Sequence, residues 1–492
     1  MLEVPRMEKK SRLLTILNLC SFLVLLYSLS MIIPIFIGLL FGEKHLASFL
    51  ITFIVALSLG VLGSLTTKRG KKTLNTRDGF LVAILFWLMF SALSTMPLYF
   101  DSRLGLSLTD ALFEGISGIT TTGASVLDDI DSLPKSILYY RAQLNFLGGL
   151  GIVVLAIAVL PFLGIGGARL YKSEMPGPMK DEKLTPRLAD TARNLWMIYT
   201  GLALACGFSY YFAGMGWFEA LCHSLSTVSL GGFSTHDSSL GYYDSPAIEI
   251  VGGVFSILAA INFSLYFVAI SGRSLRPILT NSEFRFFFLI LSLVIAITCI
   301  ELFRSGIFDA ESALVHGFFQ AVSTMTGNGL AGGNYPDWPA HVVLLLLGAS
   351  FFGGCVGSTC GGIKSMRFLL LFRQSCREIA QLVHPSGVFA IKVGGRPIPD
   401  RVIQSVWSLF FFYIFFSCIF VWGLVAIGYD FVTAFGTVAA CINNMGIGYG
   451  ETAAGFGILS DPAKWLMCVA MLFGRLEIFP ILIVMSRIFR SF

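Results

Sequence analysis

Charged residues are scarce in this chain: Asp, Glu, Lys and Arg together make up 13% of its 492 residues. Soluble domains carry about 25% charged residues, so the composition excludes an ordinary soluble domain. Hydrophobic residues make up 55% of the chain, and a helix needs roughly 20 of them in a row to cross a bilayer. Runs of that kind lie near 13–41, 46–66, 79–100, 138–163, 191–214, 246–270, 284–303, 341–383 (interrupted), 402–427 and 463–489. The sequence therefore predicts an all-α polytopic membrane protein.

The chain also lacks the common motifs for cofactors and nucleic acids. Its ten cysteines include no CxxC pair and lie mostly in apolar runs, so we interpret them as small core residues. No glycine-rich nucleotide fingerprint follows a predicted strand, and no basic stretch is interleaved with aromatic residues. We therefore expect neither an organic cofactor nor a nucleic-acid partner for this chain.

The basic residues predict how the chain crosses the membrane. If loops are assigned alternately to the two sides, most of the 34 Lys and Arg residues fall on the side that holds both termini. The positive-inside rule makes that side cytoplasmic. The first run follows basic residues, as in a signal peptide, but it is too long for one, so we interpret it as a retained helix. Short acidic segments then face outward, and an acidic outer surface favours cations.

One short pattern occurs four times along the chain. "SGITTTGAS" (117–125) aligns with "STVSLGGFS" (226–234), "STMTGNGLA" (323–331) and, more weakly, "ACINNMGIG" (440–448). A short apolar segment with a carboxylate at or near its start precedes each copy, which is typical of a helix N-terminus. The carboxylates are Asp110, Glu219, Glu311 and Asp430. The fourfold pattern indicates internal repeats.

These short helices cannot cross a membrane, so each repeat is interpreted as spanning helix, re-entrant half-helix, extended loop and spanning helix. Non-helical backbone at membrane depth persists only inside protein or along a watery cavity. We therefore expect four pseudo-fourfold helix–pore loop–helix repeats around one ion pathway, plus two extra N-terminal transmembrane helices. The expected units are 1–70 for the helix pair and 71–170, 171–275, 276–400 and 401–492 for the repeats.

The four loops are suited to binding an alkali cation. Glycine reaches backbone conformations that turn successive carbonyl groups toward an axis, and rings of carbonyl oxygens replace the hydration shell of K⁺. Small residues that only pack helices together are the alternative, but four copies in register favour a selectivity filter. The predicted K⁺ ligands are Thr120, Thr121, Thr122, Gly123, Ser229, Leu230, Gly231, Gly232, Thr326, Gly327, Asn328, Gly329, Asn443, Asn444, Met445 and Gly446.

The long run 341–383 is broken by "GGCVGSTCGGIK", which predicts a loop inside the membrane because glycines destabilise helices. Ile363 separates the last glycine from the lysine, so this is not a phosphate-binding loop. The residues concerned are Gly353, Gly354, Gly357, Gly361, Gly362 and Lys364. Arg475 lies near the middle of the last run, and a charged residue at that depth is a candidate for a functional role. The alternative is a structural arginine that is paired with Glu477 or with a carbonyl group.

Taken together, these features resemble the membrane subunit of Trk-type bacterial potassium-uptake systems, in the superfamily that includes the Ktr and plant high-affinity potassium transporters. The longer stretches that carry this resemblance span 144–161, 170–196, 351–367 and 443–450. The resemblance implies a K⁺-selective pore in the inner membrane and a homodimer with one pore per protomer. It also implies a separately encoded cytoplasmic ring that binds a nucleotide (NAD or ATP), with membrane lipids around the chain. In the resemblance, the glycine-rich loop obstructs the pore and Arg475 projects toward the pore. Both are then expected to act in gating.

Two other functions are compatible with parts of the sequence. A cation-coupled secondary symporter also uses broken helices, although such folds usually carry paired repeats. A membrane-embedded enzyme would need clustered His, Asp or Glu at membrane depth. The carboxylates here lie at loop ends, so we expect no catalytic residue.

Overall fold

The computed structural model describes residues 3–67, 76–151, 188–332, 335, 338–478 and 480–482. Nearly every regular element in these ranges is a helix. The helices are α1 (Glu3–Ser30), α2 (Ile32–Leu40), α3 (Ala47–Thr67), α4 (Thr76–Phe100), α5 (Leu108–Ile119), α6 (Lys135–Phe146), α7 (Leu188–Phe212), α8 (Trp217–Ser229), α9 (Pro246–Ala259), α10 (Phe263–Ser271), α11 (Arg276–Thr280), α12 (Ser282–Arg304), α13 (Ala310–Thr326), α14 (Ala340–Ser350), α15 (Ser365–Val383), α16 (Asp400–Ile427), α17 (Phe431–Ile442) and α18 (Asp461–Arg475).

Two short strands form the exception to the all-α expectation. β1 (Lys392–Val393) pairs antiparallel with β2 (Arg396–Pro397), with Val393 opposite Arg396. Gly394 and Gly395 make the turn with φ of 58° and 79°, which glycine adopts without steric cost. The hairpin follows α15 and leads into α16.

Six of the described helices are long and apolar enough to cross a membrane, and the bent pair α9 and α10 gives a seventh candidate. The prediction of a polytopic membrane protein is therefore confirmed. The six are the helical stretches Leu13–Leu40, Ala47–Thr67, Phe80–Phe100, Arg193–Phe212, Ser282–Arg304 and Asp400–Ile427.

The two N-terminal helices pack closely on each other and on the first repeat. A Cβ atom on Gly60 of α3 would lie 2.6 Å from Cγ of Leu25 in α1, so a larger residue does not fit. Such close approach at small residues is how membrane helices gain packing energy. The Tyr27 hydroxyl then hydrogen bonds to the Tyr140 hydroxyl at 2.8 Å, and Tyr140 donates to Ser94 O at 2.9 Å. These buried bonds join α1, α6 and α4.

The second helix of every repeat breaks before it can cross the membrane. α6 ends at Phe146 and passes into a π-helical turn with a non-helical Gly149, and α9 ends at Ala259 with an 86° bend to α10. α14 ends at Ser350 before the glycine-rich loop, as expected, and α18 ends at Arg475, where Glu477 and Ile478 have positive φ. The apolar runs 138–163, 246–270 and 463–489 are therefore interrupted within the described residues: at Gly148 and Gly149, at 260–262, and at the left-handed backbone of Glu477 and Ile478.

The close packing of α5 on α4 gives a stability test. A Cβ on Gly115 would lie 2.9 Å from Thr95 N and 3.0 Å from Ser94 C, both backbone atoms that cannot rotate away. We expect Gly115→Ala to lower the thermal stability of the detergent-solubilised protein, by an overpacking cost of about 1–3 kcal/mol. Gly201→Ala in α7 is the matched control, because nothing lies within 4 Å of its Cβ. Equal melting temperatures for the two variants would contradict this packing.

Candidate ion pathway

Four short helices end together at the centre of the molecule: α5, α8, α13 and α17. They contain 12, 13, 17 and 12 residues, and at 1.5 Å per residue they are about 18 to 26 Å long, shorter than the bilayer core. The Asp430 carboxylate caps α17 by accepting from Val432 N at 2.9 Å and Thr433 N at 3.2 Å. Each helix carries its negative dipole end inward, toward the loop that follows.

The four loops share one backbone conformation. Gly123, Gly232, Gly329 and Gly446 have φ of 80°, 75°, 79° and 77°. Two residues before each glycine, Thr121, Leu230, Gly327 and Asn444 also have positive φ, from 51° to 74°. Left-handed backbone at alternate positions is strained for any residue except glycine, and a non-glycine example is uncommon. The same pattern in four separate loops therefore reflects one shared structure.

The loops meet in a closed ring that follows chain order. A Cβ atom on Gly123 would lie closer than 3.0 Å to Gly231 O, and one on Gly232 equally close to Asn328 O. A Cβ on Gly329 would collide with Met445 O, and one on Gly446 with Thr122 O. Each glycine thus abuts the carbonyl oxygen that precedes the glycine of the next repeat. The structure brings the four predicted stretches together around one axis.

A cavity of about 600 Å³ opens above this ring. Its lining includes all four glycines, Gly123, Gly232, Gly329 and Gly446, and the outer loops that carry Asp128, Asp129 and Asp237. Arg141 and His236 are the basic side chains at its wall. The cavity is therefore a vestibule with an acidic rim on the side that the sequence predicts to face outward.

Two carboxylates at the rim are held in different electrostatic states. His236 hydrogen bonds through Nδ1 to Asp131, while Asp237 accepts from Ile130 N at 3.0 Å. Burial acts to raise the pKa of Asp131, but the hydrogen bonds from His236 and Asp237 and the charge of His236 together outweigh it, so the pKa lies below its usual range. Burial, and then the hydrogen bond with Asp131, raise the pKa of Asp237. Asp131 therefore keeps its negative charge at neutral pH.

The glycine-rich loop 351–364 lies directly on the other side of the ring. A Cβ on Gly361 would collide with Asn443 O, and one on Gly327 would lie 3.7 Å from Gly361 N. Gly353, Gly357 and Gly362 have φ of 63°, 80° and 71°, so the loop requires glycine at these turns. Gly354 packs against Ala260 O, where a Cβ would lie at 2.9 Å. The loop therefore stands in the pathway on the side away from the vestibule.

Neighbouring repeats hold this loop through backbone hydrogen bonds. Cys355 N donates to Ala260 O at 2.9 Å, and Phe263 N donates to Gly357 O at 3.0 Å. Both partners flank the break between α9 and α10, whose free backbone groups are satisfied in this way. Buried Glu283 accepts from Val356 N at 2.6 Å. The break between α9 and α10 in the second repeat thus binds the glycine-rich loop of the third repeat.

The two basic residues expected near the loop have different positions. Lys364 is buried and turns back into its own loop, where Nζ donates to Cys360 O. Arg475 joins the loop to the first repeat: Nη1 donates to Thr359 O at 3.3 Å, and Nη2 to Gly148 O at 2.5 Å and Gly149 O at 3.0 Å. Glu477 instead pairs with Arg367. Arg475 therefore bonds to carbonyl groups and not to Glu477, and these bonds place its charge between the loop and the first repeat.

Sequence reasoning missed two features of the pathway. The first is the pair of helix breaks at 147–151 ("LGGLG") and 260–262 ("AIN"). The sequence does not predict them, because glycine or asparagine in a helix does not by itself end the helix. The polar side chains buried behind the loops were also missed, because hydroxyl and amide residues in short apolar helices carry no periodic signal.

Long apolar helices around four short helices that end at one ring of backbone oxygens, below an acidic vestibule, are typical of a polytopic membrane transport protein. A family model described as "Cation transport protein", TrkH, matches residues 45–491, and the chain belongs to this family. Its members transport ions and are not enzymes.

The chain is also similar along nearly its whole length to individual relatives. It is 54% identical over 479 residues to the Trk system potassium uptake protein TrkG of Escherichia coli, covering 97% of this chain and 99% of the relative. It is 45% identical to the Trk system potassium uptake protein TrkH of Halomonas elongata, covering 96% and 98%. The crystal structure of the potassium transporter TrkH from Vibrio parahaemolyticus matches with a TM-score of 0.87, 42% identity and coverage of 96% and 98%.

Asn444 gives a test of how the loops are held. Its Nδ2 donates to Thr122 Oγ1 at 2.9 Å and to Met471 O at 3.0 Å, so it joins the fourth loop to the first. We expect Asn444→Ala to lower the thermal stability by about 2–4 kcal/mol, from two lost buried hydrogen bonds and a left-handed alanine. Asn444→Gly loses the same bonds without the backbone strain, so it should recover about 1–2 kcal/mol of this loss. Identical melting temperatures for both variants would refute a strained backbone at this position.

Proposed function

We propose that this protein takes up potassium across the bacterial inner membrane through a filter formed by its four re-entrant loops. The observation that carries the proposal is the closed ring of four glycines, Gly123, Gly232, Gly329 and Gly446, which we call the filter glycines. Each of them lies against the carbonyl oxygen of the residue that precedes the filter glycine of the next loop. Uncharged oxygens arranged in a ring replace the hydration shell of an alkali cation. A ring of carboxylates would bind the cation too tightly for it to leave. The relatives are named as potassium uptake proteins, which supports K⁺ as the transported ion.

The predicted ligands occupy two kinds of position in this filter. The residues that precede the glycines, Thr122, Gly231, Asn328 and Met445, supply the carbonyl oxygens at the contacts between loops. The four glycines follow these carbonyls, and the other predicted ligands precede them, at or just after the last residue of each pore helix (α5, α8, α13 and α17). The helix dipoles add negative potential there. The acidic rim of the vestibule raises the local concentration of cations before they reach the ring.

The loop 351–364 and Arg475 form the proposed gate. The loop contacts Asn443 from the side opposite the vestibule, and Arg475 places a positive charge beside it. A cation that leaves the filter must displace the loop and pass this charge, so both limit the rate. We further propose a homodimer in the lipid bilayer, cytoplasmic termini and control of the gate by a separate cytoplasmic ring that binds a nucleotide. The repeat boundaries expected from the sequence belong to the same proposal.

Cation flux into proteoliposomes tests the filter. K⁺, Rb⁺, Na⁺ and Li⁺ are compared at equal gradients for the unmodified protein, for Gly329→Ser and for Gly348→Ser. We expect K⁺ and Rb⁺ to be preferred, and Gly329→Ser to lose that preference because its Cβ displaces Met445 O. Gly348→Ser lies in α14 of the same repeat, with nothing within 4 Å of its Cβ, and should keep it.

The result that would overturn the filter is equal flux of all four cations through the unmodified protein. If no cation moves, the measurement is repeated after addition of the cytoplasmic partner and nucleotide. Flux that then appears with a preference for K⁺ supports both the filter and the gate, whereas continued absence in folded protein contradicts the proposed function.

Substitution of Arg475 tests the gate. Arg475→Ala removes the positive charge and the three bonds to Thr359, Gly148 and Gly149, so we expect cation flux to rise by about tenfold or more, the factor for a barrier lowered by roughly 1.4 kcal/mol. The control is Arg304→Ala, whose side chain is 72% exposed at the end of α12. Initial rates of Rb⁺ uptake measure the change. Equal rates for Arg475→Ala and the unmodified protein, at equal incorporation, would exclude a gating role.

A further inference from the structure

A polar side chain occupies the same position in each of the four pore helices, nine residues before the filter glycine. The four residues are Glu114, His223, Gln320 and Thr437, and each is 0% exposed. Buried polar groups require hydrogen-bond partners. All four residues find one in the chain that follows the filter glycine of their own loop, two to six residues further on, and we call this set the filter braces.

The brace of the first repeat is the most extensive. Glu114 accepts from Val126 N at 3.0 Å and from the Ser125 hydroxyl at 3.0 and 3.1 Å, so it holds the chain directly after Gly123. Arg141 of α6 donates through Nε to Glu114 at 2.9 Å, and through Nη2 to Ser125 Oγ at 3.0 Å. The carboxylate is thus fully paired although it is completely buried.

Arg141 also extends this brace to the second loop. Its Nη1 donates to Ser234 O at 2.9 Å, and its guanidinium lies over the Phe233 ring, 4.2 Å from the centroid. Ser125 and Ser234 both lie two residues after their filter glycines. One buried ion pair therefore fixes the distance between corresponding points of two adjacent loops.

The other three braces act within their own repeats. The His223 Nδ1 donates to Glu219 O at 2.9 Å, so in the neutral ring Nε2 accepts from the Ser234 hydroxyl at 3.0 Å. Gln320 accepts from Gly332 N at 3.3 Å. The Thr437 hydroxyl is 3.0 Å from that of Thr452, which donates to Tyr449 O. The chemistry differs among the repeats, but the position of the brace is the same. The supported residue lies two or three residues after the glycine in the first three repeats and six residues after it, in a 3-10 turn, in the fourth.

We propose that the filter braces are positioning residues that determine which alkali cation the filter accepts. This rests on the proposed function. Oxygens that are free to move inward adapt to a smaller cation, so discrimination against Na⁺ requires loops that hold their spacing. Hydrogen bonds from a packed helix to the chain that follows each glycine supply that restraint. Residues that hold metal ligands or catalytic side chains in place act in the same way. The first brace contributes most because it alone joins two loops.

The experiment compares cation preference rather than rate. The brace variants are Glu114→Gln, Gln320→Leu and Thr437→Val, of which the last removes only a hydroxyl. The control is Lys464→Met, which breaks the 2.6 Å ion pair with Asp110 between α18 and α5 without touching a segment that follows a filter glycine. Uptake of K⁺, Rb⁺, Na⁺ and Li⁺ into proteoliposomes is measured for each variant that is monodisperse in detergent.

We expect the K⁺ to Na⁺ flux ratio to fall by about tenfold in Glu114→Gln, the factor that corresponds to one hydrogen bond of about 1.4 kcal/mol, and by less in Gln320→Leu and Thr437→Val. Lys464→Met should keep the ratio of the unmodified protein. An unchanged ratio in all folded brace variants overturns this inference, and so does an equal fall in Lys464→Met. An unmodified protein without K⁺ preference instead overturns the proposed function, so the two failures are distinguishable.

Discussion

The pathway depends on one constraint: backbone N–H and C=O groups at membrane depth need partners. A re-entrant loop breaks helical hydrogen bonding and so leaves carbonyl groups without partners in the chain. In the proposed filter, the four loops turn those groups toward a shared axis, where water or a cation satisfies them. The positive φ at alternate residues is the local conformation that allows this, and the fourfold repetition makes it a ring.

The same constraint explains why all four second helices break beneath the ring. Each break exposes further backbone groups, and other repeats satisfy them. Ala260 O accepts from Cys355 N, and the carbonyls of Gly148 and Gly149 accept from Arg475. The breaks are therefore mutually dependent, since the partner of one lies at the break of another. Arg475, a charged residue at this depth, is stabilised by its bonds to three carbonyl groups.

The sequence was sufficient to predict the class of fold, and it pointed to the four glycine-containing loops that the structure brings together. Glycine is the signal that made this possible, because it marks the positions where left-handed backbone is needed. Leu230 and Asn444 adopt the same conformation without being glycine, and no sequence pattern reveals them. The filter braces stayed hidden for a different reason. Glu, His, Gln and Thr share burial and hydrogen bonding at one position, but they share neither size nor charge, so only the structure shows their equivalence.

Among the described residues, the third repeat departs from the fourfold pattern at the loop 351–364, which stands where the second repeat has the short break 260–262. The loop rests on Ala260 and Phe263 of the second repeat, faces Asn443 of the fourth, and is tied through Arg475 to the first. Every repeat thus contributes to its position. α15 begins at Ser365, directly after the loop, and continues to the polar segment that holds the β1–β2 hairpin. In the proposed gate, α15 therefore connects the polar segment directly to the loop, so a partner that bound the hairpin would act on the loop without contacting the filter.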